Sequence, residues 1–91
     1  MASAKWLLEF DKKALKQAKQ IDKKIMSRIR DYMETRVKTL ENPRELGKQM
    51  MCEFSDYWRY RVGDYRIICK IANETITIVV VKIGHRRDVY V

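Results

Sequence analysis

The residues best suited to chemistry lie between positions 57 and 66, in the order Tyr-Trp-Arg-Tyr-Arg-Val-Gly-Asp-Tyr-Arg. Aromatic and cationic residues alternate there with the period of a β-strand, so Arg59 and Arg61 are predicted on the face opposite the apolar residues. The pair Gly63-Asp64 is typical of a tight turn, which brings Arg66 back beside Arg61 on the returning strand. Because planar guanidinium groups suit phosphate, the hairpin predicts a phosphate-binding site.

A second cationic group follows the last predicted strand, where Gly84 is succeeded by His85, Arg86 and Arg87, with Tyr90 near the end. If that strand neighbours the hairpin, these residues can meet the hairpin arginines at one end of the sheet. Arginines interleaved with aromatic residues suit phosphate contact and base stacking, which favours RNA or single-stranded nucleic acid as the ligand. The spacing alone leaves open that these are solvated surface arginines of a basic protein.

Other kinds of site find little support in the sequence. The chain has one histidine and two cysteines without metal-binding spacing, no glycine-rich phosphate loop and no nucleophile elbow. Its carboxylates form no obvious acidic pair, so hydrolysis by two carboxylates or by a bound metal is unsupported. We therefore predict neither a metal nor a cofactor.

The composition sets the size and the partners of the protein. The 91 residues suffice for one domain, 1–91, and the net charge of +8 with a pI near 9.7 favours polyanionic partners. Cys69 lies in an apolar stretch and is predicted to be a buried small hydrophobe, with Cys52 the other cysteine. The longest apolar run is far too short to cross a bilayer and no secretory signal is apparent. We expect a cytoplasmic protein without membrane contact.

The elements that position these residues follow from apolar periodicity. Residues 5–10 predict a first strand, Asp11 is a suitable N-cap for a first helix, and Asp22 can cap a second helix that ends before Asn42-Pro43. The predicted apolar positions are Ala14, Leu15, Ala18 and Ile21 in the first helix, and Ile25, Ile29, Tyr32, Met33, Val37 and Leu40 in the second. These helices form an amphipathic hairpin with a face to bury.

Three further strands are predicted after the helices, over 58–62, 65–71 and 75–83. The third is a β-branched run that ends at Gly84, and its composition predicts a central strand buried on both faces. Between residues 42 and 56 the periodicity fades, with connector character over 44–48 and a strand beginning over 50–54. The order predicts an α+β domain in which an N-terminal strand and a helical hairpin pack on an antiparallel sheet.

The stretch from Trp58 to Arg66, followed by Gly84 to Tyr90, resembles the RelE branch of the RelE/ParE toxin superfamily. The resemblance also covers Phe10-Asp11, Asn42-Pro43-Arg44 and Lys48. It implies the small RNase-like RelE fold and a toxin of a type II toxin–antitoxin system. Such a toxin enters the ribosomal A site, cuts the mRNA by attack of a ribose 2′-OH on the phosphate, and is held inactive by an acidic, RelB-like antitoxin. The implied partners are thus the antitoxin, the ribosome and mRNA.

The resemblance also implies roles for individual residues. Arg66 matches the arginine that grips the scissile phosphate, and Arg86 matches a second phosphate ligand that is also a candidate leaving-group acid. Tyr90 matches a tyrosine that orients the nucleotide, exchanges a proton with it, or stacks on a base. Some relatives carry lysines where this chain has arginines 59 and 61, and arginine is a poor proton acceptor, which leaves His85 and Tyr90 as candidate bases. The predicted RNA-binding residues are Arg59, Arg61, Lys48, Lys82 and Arg87.

Two alternatives remain beside the nuclease. ParE-like toxins of the other branch share the fold and inhibit DNA gyrase, although they generally lack the combined arginine motifs. A non-catalytic basic module would use the same arginines only to bind RNA or an acidic antitoxin.

Overall fold

A computed structural model describes residues 6–50 and 56–89 of the chain. Within these ranges the elements are β1 (Leu7–Phe10), α1 (Lys12–Gln20), α2 (Lys23–Tyr32), a π-helical turn (Met33–Val37), a 3-10 turn (Pro43–Leu46), β2 (Lys48–Gln49), β3 (Tyr57–Val62), β4 (Tyr65–Ala72), β5 (Thr77–His85) and α3 (Arg86–Val89). The predicted order of a strand, two helices and a run of strands is confirmed.

The strands form one five-stranded sheet in the order β1-β5-β4-β3-β2. Strands β3, β4 and β5 form the predicted antiparallel meander. Strand β2 adds to it antiparallel to β3, and β1 pairs in parallel with β5 at the other sheet edge. A parallel neighbour requires a crossover, which α1, α2 and the following strands provide. The α+β fold with a helical hairpin on an antiparallel sheet is therefore confirmed, with β1 as a parallel addition.

Both helices begin at the predicted aspartates. Asp11 Oδ1 accepts a hydrogen bond from the Ala14 amide at 2.9 Å, and Asp22 Oδ2 accepts one from the Lys24 amide at 3.0 Å. Beyond Tyr32 the second helix widens, because the Lys38 amide donates to the carbonyl five residues back, on Met33. Its buried positions include Met26, Ile29, Met33 and Val37, most of them on the predicted apolar stripe.

The predicted burial of Leu15 is wrong, because this side chain is 45% exposed. The first helix instead turns Ala14 and Gln17 toward β5, where Gln17 Oε1 accepts a hydrogen bond from the Ile83 amide at 2.7 Å. Leu15 lies about 100° around the helix from Ala14 and therefore points away from the sheet. A polar residue on the sheet-facing side could not be recognised from apolar periodicity.

The hydrophobic core lies between the helices and one face of the sheet. Tyr60 is fully buried there, and its hydroxyl donates to the Pro43 carbonyl at 2.7 Å, which ties β3 to the 3-10 turn. Burial raises the pKa of the Tyr60 hydroxyl and of the Cys69 thiol. Cys69 is thus the buried small hydrophobe that the sequence predicted.

The strand boundaries differ from the predictions in three places. Lys48 belongs to β2 rather than to a connector, while the strand predicted to begin over 50–54 falls largely on residues 51–55, outside the described ranges. Residues 75 and 76 lie in the β4–β5 turn, with Ile76 in the left-handed region at φ 50°. Gly84 does not end β5, which continues through His85 because His85 still pairs with Tyr65 of β4.

Candidate nucleic-acid interface

The side of the sheet turned away from α1 and α2, here named the distal face, carries most of the predicted phosphate ligands. On β4, Ile67, Cys69 and Ile71 pack into the core with the helices, so the alternating Arg66, Ile68 and Lys70 project to the distal face. Directly opposed residues on neighbouring strands lie on the same face of the sheet, so the strand register shows which residues of the other strands lie on the distal face. The cations on this face are Lys48, Arg59, Arg61, Arg66, Lys70 and Lys82.

These cations form two rows that run across the strands. In the first row Lys48 pairs with Arg59, Arg59 with Ile68, and Ile68 with Lys82, so that four strands each contribute one side chain. Ile68 is only 5% exposed, although it lies outside the core cluster on the helical side. In the described strands this face carries one carboxylate, Glu9 on β1. The row presents positive charge over about 14 Å, three strand spacings of roughly 4.8 Å.

A β-bulge is what brings Lys82 to the distal face. The β4–β5 register shifts by one residue, because Ile68 pairs with Lys82 while the next residue, Cys69, pairs with Val80. Val80 and Ile83 therefore both point into the core, although they are three residues apart, and Lys82 takes the opposite face. In an unbulged strand Lys82 would share the core-facing side with Val80.

The second row consists of Arg61, Arg66 and Gly84, next to the β3–β4 turn. Arg66 is 7% exposed, and its Nη1 donates to the carbonyls of Gly63 at 3.1 Å and of Tyr65 at 3.0 Å. The carbonyl dipoles offset part of the repulsion between adjacent guanidiniums and fix the direction of the Arg66 side chain. Arg61 beside it is exposed.

The end of β5 is held against the same turn. The backbone amide of Arg86, the first residue of α3, donates to the Asp64 carbonyl at 2.8 Å. Arg86 and Arg87 are both exposed at this end of the sheet. The main chain thus places the start of α3 at the β3–β4 turn, near Arg66. Tyr90 lies outside the described residues.

His85 is not brought together with the distal-face cations. Its imidazole lies on the helical side of β5, where it meets the ring of Tyr65 edge-on, with centroids 5.6 Å apart and planes at 75°. The Nδ1 atom accepts a hydrogen bond from the Arg87 amide at 3.3 Å. His85 lines a cleft against Gln17 and Gln20 of α1 instead. Because it sits directly opposite Tyr65, its side chain points away from that of Arg66.

The contacts of Arg44 at the other end of the sheet were not predicted. The Arg44 guanidinium donates to Asn42 Oδ1 at 3.2 Å and to Asn73 Oδ1 at 2.9 Å, and it lies 5.9 Å from the centre of the Trp58 ring. It thereby joins the 3-10 turn to the β4–β5 turn. No sequence spacing signals this contact, since residues 44 and 73 meet only through the fold.

Neither a metal-ligand cluster nor a membrane-spanning helix is found in the described residues. Among the described residues, no three His, Cys, Asp or Glu side chains group closely enough to hold a metal ion. No helix in the described part of the chain has the length and apolar character needed to span a membrane.

The five-stranded sheet with a helical hairpin on one face matches the fold of RelE toxin structures. The sequence model of the family described as "ParE toxin of type II toxin-antitoxin system, parDE" matches residues 8–90. The chain belongs to this family, within the RelE/ParE superfamily, and is a toxin of a type II toxin–antitoxin system. No curated protein matches it in sequence.

Several solved structures share the fold. A chain of the RelBE2 toxin–antitoxin complex of Mycobacterium tuberculosis matches with a TM-score of 0.81 and 21% identity over 89% of this chain and 91% of that one. The intact Escherichia coli RelBE complex gives 0.70 and 23% over 88% and 95%, and the YoeB/ParE toxin of Agrobacterium tumefaciens gives 0.59 and 13% over 87% and 96%. Identities this low establish the fold alone.

Proposed function

We propose that this toxin is a ribosome-dependent endoribonuclease that cuts mRNA in the A site and so inhibits translation. The observation that carries the proposal is the row of Arg61 and Arg66 at the β3–β4 turn, with the start of α3 tied to the same turn. Guanidinium groups held in fixed directions can stabilise a phosphorane, which gains negative charge in the transition state.

The proposed reaction breaks one phosphodiester bond. The ribose 2′-oxygen attacks the adjacent phosphorus, the bond to the 5′-oxygen breaks, and the products are a 2′,3′-cyclic phosphate and a 5′-hydroxyl. A proton leaves the 2′-OH and a proton is delivered to the 5′-oxygen. We assign Arg66 and Arg86 to the phosphate, with Arg86 as the acid for the leaving oxygen. The position of His85 on the helical side favours Tyr90 over His85 as the proton acceptor.

The first distal-face row is proposed to bind the RNA backbone on either side of the cut. Lys48, Arg59 and Lys82 neutralise phosphates, while Ile68 between them is almost fully buried and serves to hold the row together. Arg87 extends the positive charge beyond β5. Since these cations supply the charge that a metal would otherwise provide, we propose a reaction independent of metals and cofactors.

The proposed regulator is an acidic antitoxin of the RelB kind. The net charge of +8 favours an acidic chain that masks the cations, and structural relatives were solved as RelBE complexes. Because the substrate is mRNA on the ribosome, we propose that the toxin acts in the cytoplasm.

One observation favours a second candidate, inhibition of DNA gyrase: the matching family model is described as a ParE toxin. A supercoiling assay with purified protein and gyrase separates the two candidates. A non-catalytic RNA-binding module would neither cut mRNA nor inhibit gyrase.

The proposed role of Arg66 is tested by Arg66→Ala, with Lys70→Ala as the matched control. Both variants remove one cation from the distal face of β4, but only Arg66 lies in the row beside the turn. We expect Arg66→Ala to lower the rate of mRNA cleavage by about 10²–10³ and to abolish growth arrest, while Lys70→Ala retains both.

Loss of folding must be separated from loss of catalysis in this test. Arg66→Ala removes the side-chain hydrogen bonds to the carbonyls of Gly63 and Tyr65, so thermal unfolding of both variants is measured in parallel. Arg66→Lys is a second test, because it keeps the positive charge but loses the planar guanidinium that can bind phosphate through two donors. This variant should also cleave slowly. Folded Arg66→Ala protein that still arrests growth would refute the nuclease proposal.

A further inference from the structure

Both arginines assigned to the scissile phosphate donate a hydrogen bond to the two-residue β3–β4 turn. The carbonyl of Gly63 accepts from Arg66 Nη1, and the carbonyl of Asp64 accepts from the Arg86 amide. Arg66 Nη1 also bonds the Tyr65 carbonyl. Successive carbonyls of the β3–β4 turn thus set the direction of the Arg66 guanidinium and the position of the Arg86 backbone.

This arrangement depends on the backbone conformation of Gly63. The φ of Gly63 is +58°, in the left-handed region, whereas the φ of Asp64 is not positive. These signs are those of a type II′ hairpin turn, which places glycine at the first central position. If residue 63 moved to negative φ, its peptide planes would rotate and its carbonyl would turn away from Arg66.

The space around Gly63 does not itself demand glycine. A Cβ built at this position would meet Nη2 of Arg28 at 3.9 Å, which is ordinary van der Waals contact. Backbone conformation alone therefore disfavours most side chains at this position. Asparagine is among the residues found at positive φ in primed hairpin turns, whereas a β-branched residue is strained there, so substitutions can separate conformation from side-chain size.

We propose that Gly63 is a positioning residue of the site: its left-handed conformation aims two turn carbonyls so that Arg66 and Arg86 are held ready for the same phosphate. The turn holds the cations in place before RNA arrives, which lowers the cost of ordering them during the reaction. This proposal rests on the proposed nuclease function for its substrate, but the geometric link between the turn and Arg66 can be measured without it.

The test compares Gly63→Asn with Gly63→Val, using Tyr60→Phe as the control for stability. Tyr60→Phe removes a buried hydrogen bond on the helical side of β3, away from the distal face. Cleavage of a defined mRNA on purified ribosomes is followed by primer extension, at toxin concentrations from half-saturating to saturating. Thermal unfolding is recorded for each variant, and we expect Gly63→Val and Tyr60→Phe each to lower Tm by roughly 4–8 °C.

The expected result is a difference between the two Gly63 variants that saturation does not remove. Gly63→Val should cleave at least about tenfold more slowly at saturating toxin, because the loss lies in transition-state stabilisation, while Gly63→Asn and Tyr60→Phe stay within about threefold of the parent. Equal cleavage by the Val and Asn variants, whether both fast or both slow, would overturn the positioning role.

A second measurement is independent of cleavage. The guanidinium ¹⁵N–¹H signals of Arg66, assigned with Arg66→Lys, should be distinct in the parent and in Gly63→Asn and should shift toward those of solvated arginine in Gly63→Val. Unchanged signals in Gly63→Val would overturn the proposal. If the parent cuts no mRNA while the signals behave as expected, the nuclease function fails and the link between the turn and Arg66 stands.

Discussion

The first distal-face row predicts how the affinity for RNA depends on salt. A protein that neutralises phosphates of a single strand releases bound counterions, and the slope of log K against log salt changes by about −0.7 for each phosphate. Lys48 and Lys82 lie at opposite ends of the row and face the same side of the sheet. Removing either charge should therefore make the slope shallower by about 0.7, and removing both by about 1.4.

The assay is fluorescence anisotropy with a short, labelled, single-stranded RNA whose 2′-hydroxyls are methylated, so that no cleavage occurs. Lys48→Gln, Lys82→Gln and the double variant are titrated between about 50 and 200 mM salt. The matched control is Lys13→Gln, an exposed lysine on α1, which lies across the sheet from the distal face. It lowers the net charge by the same amount without removing a predicted phosphate contact.

The comparison separates a specific face from general basicity. If the row binds RNA, the control should change the slope far less than either variant of the row. If Lys13→Gln flattens the slope as much as Lys82→Gln does, the protein attracts RNA through its net charge, and the assignment of RNA to the distal face is refuted.

Four further predictions concern the scaffold. Ile76→Asn should raise the free energy of unfolding in urea by about 1 kcal/mol, because Ile76 holds φ 50° on an exposed turn; a lower value would contradict this. Gly47→Ala should lower it by about 1–3 kcal/mol, since the new Cβ would lie 2.9 Å from Cζ of the buried Tyr60, and unchanged stability would show that the ring can yield. Burial raises the pKa of the Cys69 thiol, so the folded state disfavours the thiolate: above pH 9 stability should fall by up to about 1.4 kcal/mol per pH unit, while Cys69→Ala lacks this component. In a variant whose other cysteine is serine, Cys69 should resist alkylation until the protein unfolds, and rapid labelling of folded protein would contradict its burial.

The parts of the fold that the sequence predicted are those decided locally. The aspartate caps and the Gly63-Asp64 turn act over a few residues, and a two-residue turn fixes which residues of a hairpin face each other. Arg61 therefore pairs with Arg66 as predicted, and both face away from the core. The cationic hairpin therefore follows from the sequence alone.

The parts that the sequence did not predict depend on contacts between distant residues. The bulge that brings Lys82 to the distal face arises where β5 must send both Val80 and Ile83 into the core. The parallel pairing of β1 and the sheet-facing Gln17 likewise require the assembled layers. For the same reason, the side of the sheet on which His85 lies could not be read from its position next to the arginines.

Cleavage mapping with the purified protein distinguishes a ribosome-dependent nuclease from a gyrase inhibitor. A defined mRNA is incubated with the toxin in the presence and absence of translating ribosomes, and the ends are mapped by primer extension; a gyrase supercoiling assay uses the same protein. We expect sharp cuts inside codons in the A site, only when ribosomes are present, and unaffected supercoiling. Intact mRNA on translating ribosomes together with inhibited gyrase would contradict the nuclease proposal.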